Sequence, residues 1–163
     1  MDQQTGSGHV LPVNWYGPGD NFDPESGHVI LGMIRKFIEA KDARHRSVRL
    51  WGDGSPTREF LYVSDAARAL RLALEGYDGP EPVNIGSGHE ISIRDLATRI
   101  QALVGFDGQV EWDSSRPNGQ PRRKLDTSRA LERLGFRART DFAEGLQNTI
   151  RWYYDTRITS APA

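Results

Sequence analysis

Cysteine is absent from the 163 residues of this chain. Its absence excludes disulfide bonds, thiolate metal ligands and a cysteine nucleophile, and it favours a reducing compartment. No apolar run approaches the roughly 20 residues that a membrane helix needs, and no signal peptide opens the chain. The formal net charge of −1 gives no overall reason to expect a nucleic acid or an anionic membrane as partner. These absences together predict a cytoplasmic protein with neither kind of partner.

Aromatic residues are plentiful, with four Trp, five Tyr and six Phe. Together with a hydrophobic content of 37%, they argue against wholesale disorder, and the length suits one domain with a real core. We expect a flexible lead or expression remnant over residues 1–9, which are polar and rich in Gly and Ser. One domain should occupy residues 10–157, and residues 158–163 should form a disordered tail.

Short strands and helices alternate along the predicted domain, which is typical of α/β or α+β proteins. The predicted strands lie at 10–13, 48–51, 83–85 and 110–112, with a loop over 15–27. The predicted helices span 29–40, 64–75, 92–105, 127–134 and 141–154. Ser64, Ser92 and Asp141 are the expected N-caps, and Gly105 and Gly135 the expected helix ends.

Four motifs carry a resemblance to a known family. They are Gly-Asp-Asn-Phe-Asp followed by His-Val-Ile within 19–30, Trp-Gly-Asp-Gly-Ser-Pro-Thr-Arg-Glu-Phe at 51–60, Val-Asn-Ile-Gly-Ser-Gly at 83–88, and Pro-Arg-Arg-Lys-Leu-Asp at 121–126. The sequence from 10 to 154 resembles the GDP-L-fucose synthases, which are NADP-dependent epimerase-reductases within the extended short-chain dehydrogenases. The second motif is shared by many nucleotide-sugar epimerases and dehydratases, whereas the first motif is more specific and points to the GDP-L-fucose synthases.

The resemblance implies an α/β fold, namely the substrate-binding half of an extended short-chain dehydrogenase with two residual strands of the Rossmann sheet. In the family, the matching segments lie past the middle of the chain, so only the C-terminal half is expected here. The residual strands are 10–13 and 83–85, and the helix from Ser64 would lie on their sheet. The strands would then have unpaired edges, and the helix would expose an apolar stripe at Ala67, Leu70 and Leu74. Both would need to be buried by another chain or segment.

The resemblance also implies a phosphate site. Arg58 matches an arginine that contacts the substrate diphosphate, and a guanidinium can donate two charge-assisted hydrogen bonds to phosphate oxygens. The alternative is a structural arginine bonded to a loop carbonyl. Lys36 and Arg123 stand where the family has Arg and Lys, so both keep the positive charge but change its geometry. Asn118 replaces an acidic residue, which leaves the base and the sugar open.

Further positions match residues near the ligands. His28 matches a histidine beside the reacting sugar, proposed there as an acid, and a partly exposed capping histidine is the alternative. Trp51 matches a tryptophan near the nucleotide, with core packing as an equal alternative. Asn14 matches a residue facing both substrate and cofactor. Pro12, Val13, Asn14 and Trp15 match the stretch that touches the nicotinamide end of NADP. No His, Asp and Glu set shows metal-ligand spacing.

Two motifs that reduction requires are missing from the 163 residues: the Gly-x-x-Gly-x-x-Gly loop that holds the NADP pyrophosphate, and a Tyr-x-x-x-Lys pair. We therefore expect a GDP-sugar-binding domain that is not catalytic alone and does not bind NADP tightly. The alternatives are a non-catalytic binding or assembly module and a half-enzyme completed by a separate Rossmann chain. A homo-oligomer or such a partner chain is expected.

The stretch from Arg116 to Arg139 is rich in basic residues. It has no interleaved aromatic residues up to Gly135, so we favour a solvated helix face over a nucleic-acid-binding patch.

Overall fold

A computed structural model describes residues 8–22 and 27–160, and side chains as far as 156. Residues 1–7 of the predicted lead and 161–163 of the predicted tail lie outside the described residues. The elements in chain order are β1 (Val10–Pro12), β2 (Asn14–Tyr16), α1 (Val29–Asp42), β3 (Ser47–Trp51), β4 (Thr57–Tyr62), α2 (Val63–Gly76), β5 (Val83–Ile85), β6 (Glu90–Ser92), α3 (Ile93–Val104), β7 (Gln109–Asp113), β8 (Arg122–Arg123), α4 (Ser128–Leu134) and α5 (Phe142–Ser160).

Mostly parallel strand pairs build the sheets, which confirms the predicted α/β class. Strand β4 lies parallel to β2 and to β8 and antiparallel to β6. Strand β3 pairs with β7 in parallel over five residues, and β1 pairs with β5 in parallel. Parallel pairs need a crossover between their strands, and helices supply it here. The result is a mixed fold in which β4 is central.

The two predicted residual strands pair with each other. Val10 stands opposite Val83 and Pro12 opposite Ile85, and the Val13 amide donates to the Ile85 carbonyl at 2.9 Å. Each strand therefore has one hydrogen-bonded neighbour, so one edge of each strand is paired within the described residues. Helices α2 and α4 pack on this pair and enclose a small apolar core. Its buried members are Val13, Leu61, Ala66, Ala69, Val83, Ile85, Ala130, Leu134 and Phe136.

The larger core lies between α1, α3 and the sheets around β3 and β4. The apolar positions that predicted α1 are all buried, and they are Ile30, Met33, Ile34, Phe37 and Ile38. Phe37 is fully buried and packs near Phe106, with ring centroids 5.7 Å apart. Burying a side chain of this size stabilises the fold by roughly 1.5–3 kcal/mol. The core thus fixes α1, whose first residues border the candidate site described below.

Most predicted helix ends are correct. The Ser92 hydroxyl accepts from the Asp95 amide at 3.0 Å, and the Asp141 carboxylate accepts from the Ala143 and Glu144 amides. Gly105 and Gly135 adopt the left-handed conformation past the ends of α3 and α4.

The N-cap prediction at Ser64 is wrong. Helix α2 begins at Val63, with Tyr62 in the capping position and no side-chain cap hydrogen bond. Strand β4 runs directly into the helix, so the chain has no turn in which a serine could cap.

Four strands were not predicted, among them β6 (Glu90–Ser92) and β8 (Arg122–Arg123). Asn14–Tyr16 forms β2 where the sequence predicted a loop from residue 15, and Thr57–Tyr62 forms β4. A three-residue strand is stabilised by pairing with another strand, and the local sequence pattern does not indicate that pairing. Helix α5 extends to Ser160, beyond the predicted domain end at 157. No helix within the described residues has the length and apolar character needed to cross a bilayer.

Candidate functional site

Four of the predicted site residues line one cavity of about 390 Å³ between the start of α1, the end of β3 and the loop before β8. They are His28, Lys36, Trp51 and Arg58. Pro117 and Asn118 close one side of the cavity. Residues separated by up to 90 positions therefore meet at one place, and of the four predicted residues only His28, Trp51 and Arg58 come from the quoted motifs.

His28 holds the N-cap position of α1. Its carbonyl accepts from the Gly32 amide at 2.9 Å, while its imidazole makes no cap hydrogen bond. The ring stays exposed, with Nδ1 3.7 Å from a carboxylate oxygen of Asp20. Because Nδ1 faces Asp20 and the imidazole makes no cap hydrogen bond, Nε2 is the ring nitrogen left available to a ligand. Its predicted role as an acid stays a prediction.

Lys36 lies two turns further along α1. Its Nζ donates to the Arg49 carbonyl at 3.3 Å and sits 5.9 Å from the centroid of the Trp51 ring. Burial and the neighbouring Arg35 lower the pKa of Lys36. Arg35 also lines the cavity; its buried Nε makes no hydrogen bond within the described residues and lies 3.9 Å from a carboxylate oxygen of Glu39. Because Glu39 offsets part of the Arg35 charge, the case for an anion at this end of the cavity rests mainly on Lys36.

Trp51 ends β3 with 64% of its surface exposed, so the core-packing alternative is wrong. The Arg116 guanidinium carbon stands 5.3 Å from the ring centroid, and Lys36 approaches the same ring. Cations prefer the electron-rich faces of an indole, and planar bases stack on the same faces. An exposed indole beside a cationic cavity is therefore a suitable platform for a nucleobase.

Arg58 is half-buried on β4. Its contacts fit both alternatives, a structural arginine bonded to a loop carbonyl and an arginine that binds phosphate. Its Nη1 donates to the Thr57 and Gln120 carbonyls, each at 2.7 Å, as a structural arginine would. Its Nε and Nη2 make no hydrogen bond to the described residues, and the side chain lines the cavity. One nitrogen thus fixes the guanidinium, while the other two remain open to phosphate oxygens.

Arg123 is absent from the cavity lining and lies on β8, directly opposite Arg58 in the parallel register. The exposed side chain makes no ion pair or hydrogen bond within the described part of the chain. Like charges on directly opposed residues destabilise a sheet pair unless something relieves them. An anion between Arg58 and Arg123 would do so.

The predicted cofactor residues lie elsewhere, on β1, β2 and the link between them. Pro12 is exposed and Val13 buried, and the Asn14 side-chain amide donates to the Glu59 carbonyl at 3.5 Å. The indole Nε1 of Trp15 is buried with no hydrogen-bond partner among the described residues. Asn14 is therefore not brought into the cavity with His28 and Arg58.

Sequence reasoning missed several residues around the cavity. Arg35 and Arg116 contribute charge, and the Asn118 side-chain oxygen accepts from the Asp53 amide at 2.8 Å, which ties the loop to the turn after β3. The departure from the family pattern at Asn118 was a usable signal. Arg116 stood within a basic stretch with nothing to single it out.

A charge cluster beside the site holds β8 in place. Arg122 donates to both carboxylate oxygens of Glu90, at 2.8 and 2.9 Å, and the Thr57 hydroxyl donates to the same carboxylate. Hydrogen bonds from Arg122 and then Thr57 lower the pKa of Glu90 from 4.5 to about 2. This bidentate pair anchors the strand that carries Arg123.

We expect the Glu90 cluster to give an acid-dependent contribution to stability. Because the pKa is lowered in the fold, the contribution is complete above about pH 4.5 and is lost as pH falls towards 2. Urea unfolding of wild type and Glu90→Gln between pH 6 and 2 measures it. The difference between the urea concentrations at the two unfolding midpoints should become smaller as the pH falls. A difference that is constant over this range would contradict the assignment.

No group of three His, Asp or Glu side chains within residues 8–22 and 27–156 is placed to hold a metal ion.

Comparisons with known proteins show which family the chain resembles. Residues 8–86 match the model of the NAD-dependent epimerase/dehydratase family. The probable GDP-L-fucose synthase 1 of Oryza sativa subsp. japonica is 44% identical over 93% of this chain and 46% of its own length. The GDP-L-fucose synthase of Escherichia coli K12 is 40% identical over 91% of this chain and 49% of its own length.

A solved structure shows the same fold. The GDP-L-fucose synthetase of Naegleria fowleri bound to NADP superposes with a TM-score of 0.87 at 30% identity, covering 93% of this chain and 48% of that one. The chain therefore spans about half the length of the relatives that it matches. The resemblance is thus confirmed: over most of its length this chain is similar to about half of a GDP-L-fucose synthase, and its residues 8–86 match the NAD-dependent epimerase/dehydratase family.

Proposed function

We propose that this chain carries the GDP-sugar site of an epimerase-reductase that acts on a GDP-4-keto-6-deoxy-sugar. The observation that supports this most is the shared cavity of His28, Lys36, Trp51 and Arg58. In the proposal, the base stacks on Trp51 and the sugar reaches His28, which would serve as an acid in 3,5-epimerisation. The names of the relatives that match most of the chain give the substrate class.

Charge supports the placing of the diphosphate. Lys36 and Arg58 border the cavity, and Arg123 faces Arg58 across the strand pair. Arg58 keeps two nitrogens open, and Arg123 has no partner within the described residues. A diphosphate in contact with these three groups would satisfy donors that are otherwise unused and relieve the repulsion between the two arginines.

The described residues fit only one end of NADP. The unpartnered Trp15 Nε1 is a donor that a nicotinamide carboxamide could accept from, and Pro12 and Asn14 are close to Trp15 in the sequence. Bound NADP would supply the hydride for reduction of the keto group. A pyrophosphate needs a cradle of backbone amides, and the 163 residues contain no Gly-x-x-Gly-x-x-Gly sequence. We propose that the cradle and the Tyr-x-x-x-Lys pair come from outside these residues.

Titration calorimetry tests the proposed site. The purified chain is titrated with GDP, UDP and dTDP and with their sugars, with and without NADPH. We expect GDP and a GDP-sugar to bind at least tenfold more tightly than the other two nucleotides. Equal affinity for GDP, UDP and dTDP would support a phosphate-binding site but contradict the proposed specificity for guanine. No binding of any of them would overturn the proposal.

We expect the 163-residue chain alone neither to oxidise NADPH nor to bind it tightly, because the two motifs just named are missing from its sequence. Absorbance at 340 nm in the presence of a GDP-4-keto-6-deoxy-sugar follows the oxidation. A full-length GDP-L-fucose synthase serves as the positive control. Consumption well above the buffer rate would contradict this expectation.

Two alternatives use the same cavity without catalysis by this chain. In one, the chain is a binding or assembly module. In the other, a separate Rossmann chain completes it as a half-enzyme. The exposed apolar face of α2, argued in the Discussion, favours assembly with a second copy or with such a chain. Activity that appears only after a Rossmann chain is added would select the half-enzyme.

A further inference from the structure

Glu59 is a fully buried carboxylate on β4 that faces no cation within the described residues. Its Oε1 accepts from the Gly88 amide at 2.7 Å and its Oε2 from the Leu125 amide at 2.8 Å. The two amides belong to loops that lie far apart in the sequence. Glu59 therefore connects the glycine loop after β5 to the segment after β8.

A buried carboxylate is costly unless its hydrogen bonds compensate for the lost water. Hydrogen bonds from amides to a charged group are stronger than those to a neutral group, so the two amides here offset much of that cost. The surroundings are shaped for the carboxylate: a Cβ on Gly86 would lie 2.2 Å from Oε1 and 3.1 Å from the Thr127 methyl group. Only glycine at position 86 lets the loop approach Glu59 this closely.

The Leu125 end of this bridge sets the position of Arg123. Glu90 holds Arg122 on one side of Arg123, and Glu59 holds Leu125 on the other. Arg123 is thus fixed between two carboxylate anchors while it stands opposite Arg58. Because the two arginines repel each other, the segment would move away if one anchor were lost.

Glu59 also reaches a second predicted ligand residue, since its backbone carbonyl accepts from the Asn14 side chain at 3.5 Å. We infer that Glu59 is a positioning residue whose carboxylate holds Arg123 opposite Arg58 in the diphosphate site. This inference rests on the proposed function. It adds a residue that touches no ligand and acts through the placement of another.

A double-mutant cycle on GDP binding tests the inference. Glu59→Gln keeps the size of the side chain but removes one acceptor, because its NH2 group then faces an amide N–H. We expect it to weaken GDP binding about fivefold or more. Arg123→Ala should weaken GDP binding in wild type, yet by less than about twofold in the Glu59→Gln background, because Arg123 is already misplaced.

Thr149→Val is the matched control, since Thr149 is fully buried on α5 and donates to the Gly145 carbonyl away from the site. It should lower stability but change GDP affinity by less than about twofold. If thermal unfolding shows that Glu59→Gln does not fold, Glu59→Asp replaces it, because its shorter side chain cannot reach both amides.

Additive losses from Glu59→Gln and Arg123→Ala would overturn the inference, since they would show that Arg123 works equally well without the anchor. An equal loss in Thr149→Val would also overturn it, because general destabilisation would then explain the effect. These results differ from failure of the proposed function, in which the wild-type chain itself does not bind GDP.

Discussion

Replacement of Arg58 by alanine will weaken GDP binding at least tenfold. The guanidinium offers Nε and Nη2 to the cavity, and each charge-assisted contact at a half-buried position contributes about 1.5–3 kcal/mol. Loss of one such contact already corresponds to about a tenfold or larger change in the dissociation constant. Calorimetry with GDP at constant ionic strength measures the effect. The GDP affinity of Arg58→Lys should lie between those of wild type and Arg58→Ala, because lysine keeps the positive charge but cannot donate two parallel hydrogen bonds as a guanidinium does.

The control for this prediction is Arg71→Ala. Arg71 is exposed on α2 and bonds to Glu75, so its removal changes the net charge equally without touching the cavity. Its GDP affinity should equal that of wild type. Because Arg58 also bonds to the Thr57 and Gln120 carbonyls, urea unfolding must show that the alanine variant stays folded. Equal GDP affinity in wild type and Arg58→Ala would remove Arg58 from the site.

The helices were predictable because their signals are local. The spacing of Ile30, Ile34, Phe37 and Ile38 defines the buried face of α1, and the structure buries all four. Ser92 and Gly105 bound α3 by the hydrogen bonding and backbone conformation that their residue types favour.

The strands were harder to predict because they depend on partners. Strand β2 is three residues long and exists through its pairing with β4, and no alternation over three residues can reveal it. Strand β4 has six residues, but three polar residues followed by three apolar ones show no alternation, although Arg58 to Phe60 belong to the second motif. Strand β4 is central to the sheet and also carries Arg58 and Glu59. The missing strand was therefore the element that places the candidate site.

The candidate site was predictable only in part. The resemblance indicated His28, Lys36, Trp51 and Arg58, and the cavity brings these four together. The sequence did not indicate how charges are neutralised. That Arg116 approaches Trp51, or that Glu90 holds Arg122, depends on the three-dimensional approach of loops 30 or more residues apart.

Helix α2 presents an apolar stripe that the described residues cover only in part, because Leu70 is half-buried whereas Ala67 and Leu74 are exposed. The predicted stripe of Ala67, Leu70 and Leu74 is not on the buried face, which instead carries Ala66 and Ala69. Leu74 is 89% exposed, and Leu11 on the neighbouring β1 is 50% exposed. Contiguous exposed apolar surface is typical of interaction sites. We propose that this stripe joins two copies of the chain or a partner Rossmann chain.

Replacement of Leu74 by aspartate is therefore expected to abolish self-association. Burial of a leucine contributes about 1.5–3 kcal/mol, and a two-fold symmetric dimer contains the residue twice. The expected loss of about 3–6 kcal/mol raises the dimer dissociation constant by a factor of about 10² to 10⁴. Sedimentation at micromolar concentration should show twice the 18.3 kDa chain mass for wild type and one chain mass for the variant.

Leu131→Asp is the control for self-association, because Leu131 is a 52% exposed leucine that lies on another helix, α4, and is not part of the stripe. This variant should sediment like wild type. A compact wild-type monomer over the whole micromolar range would contradict a homodimer. Complex formation by that monomer with a Rossmann chain, lost in Leu74→Asp but kept in Leu131→Asp, would then assign the stripe to the partner chain. If neither self-association nor such a complex formed, the stripe would not be an interface, because burial of this much apolar surface should be measurable at these concentrations.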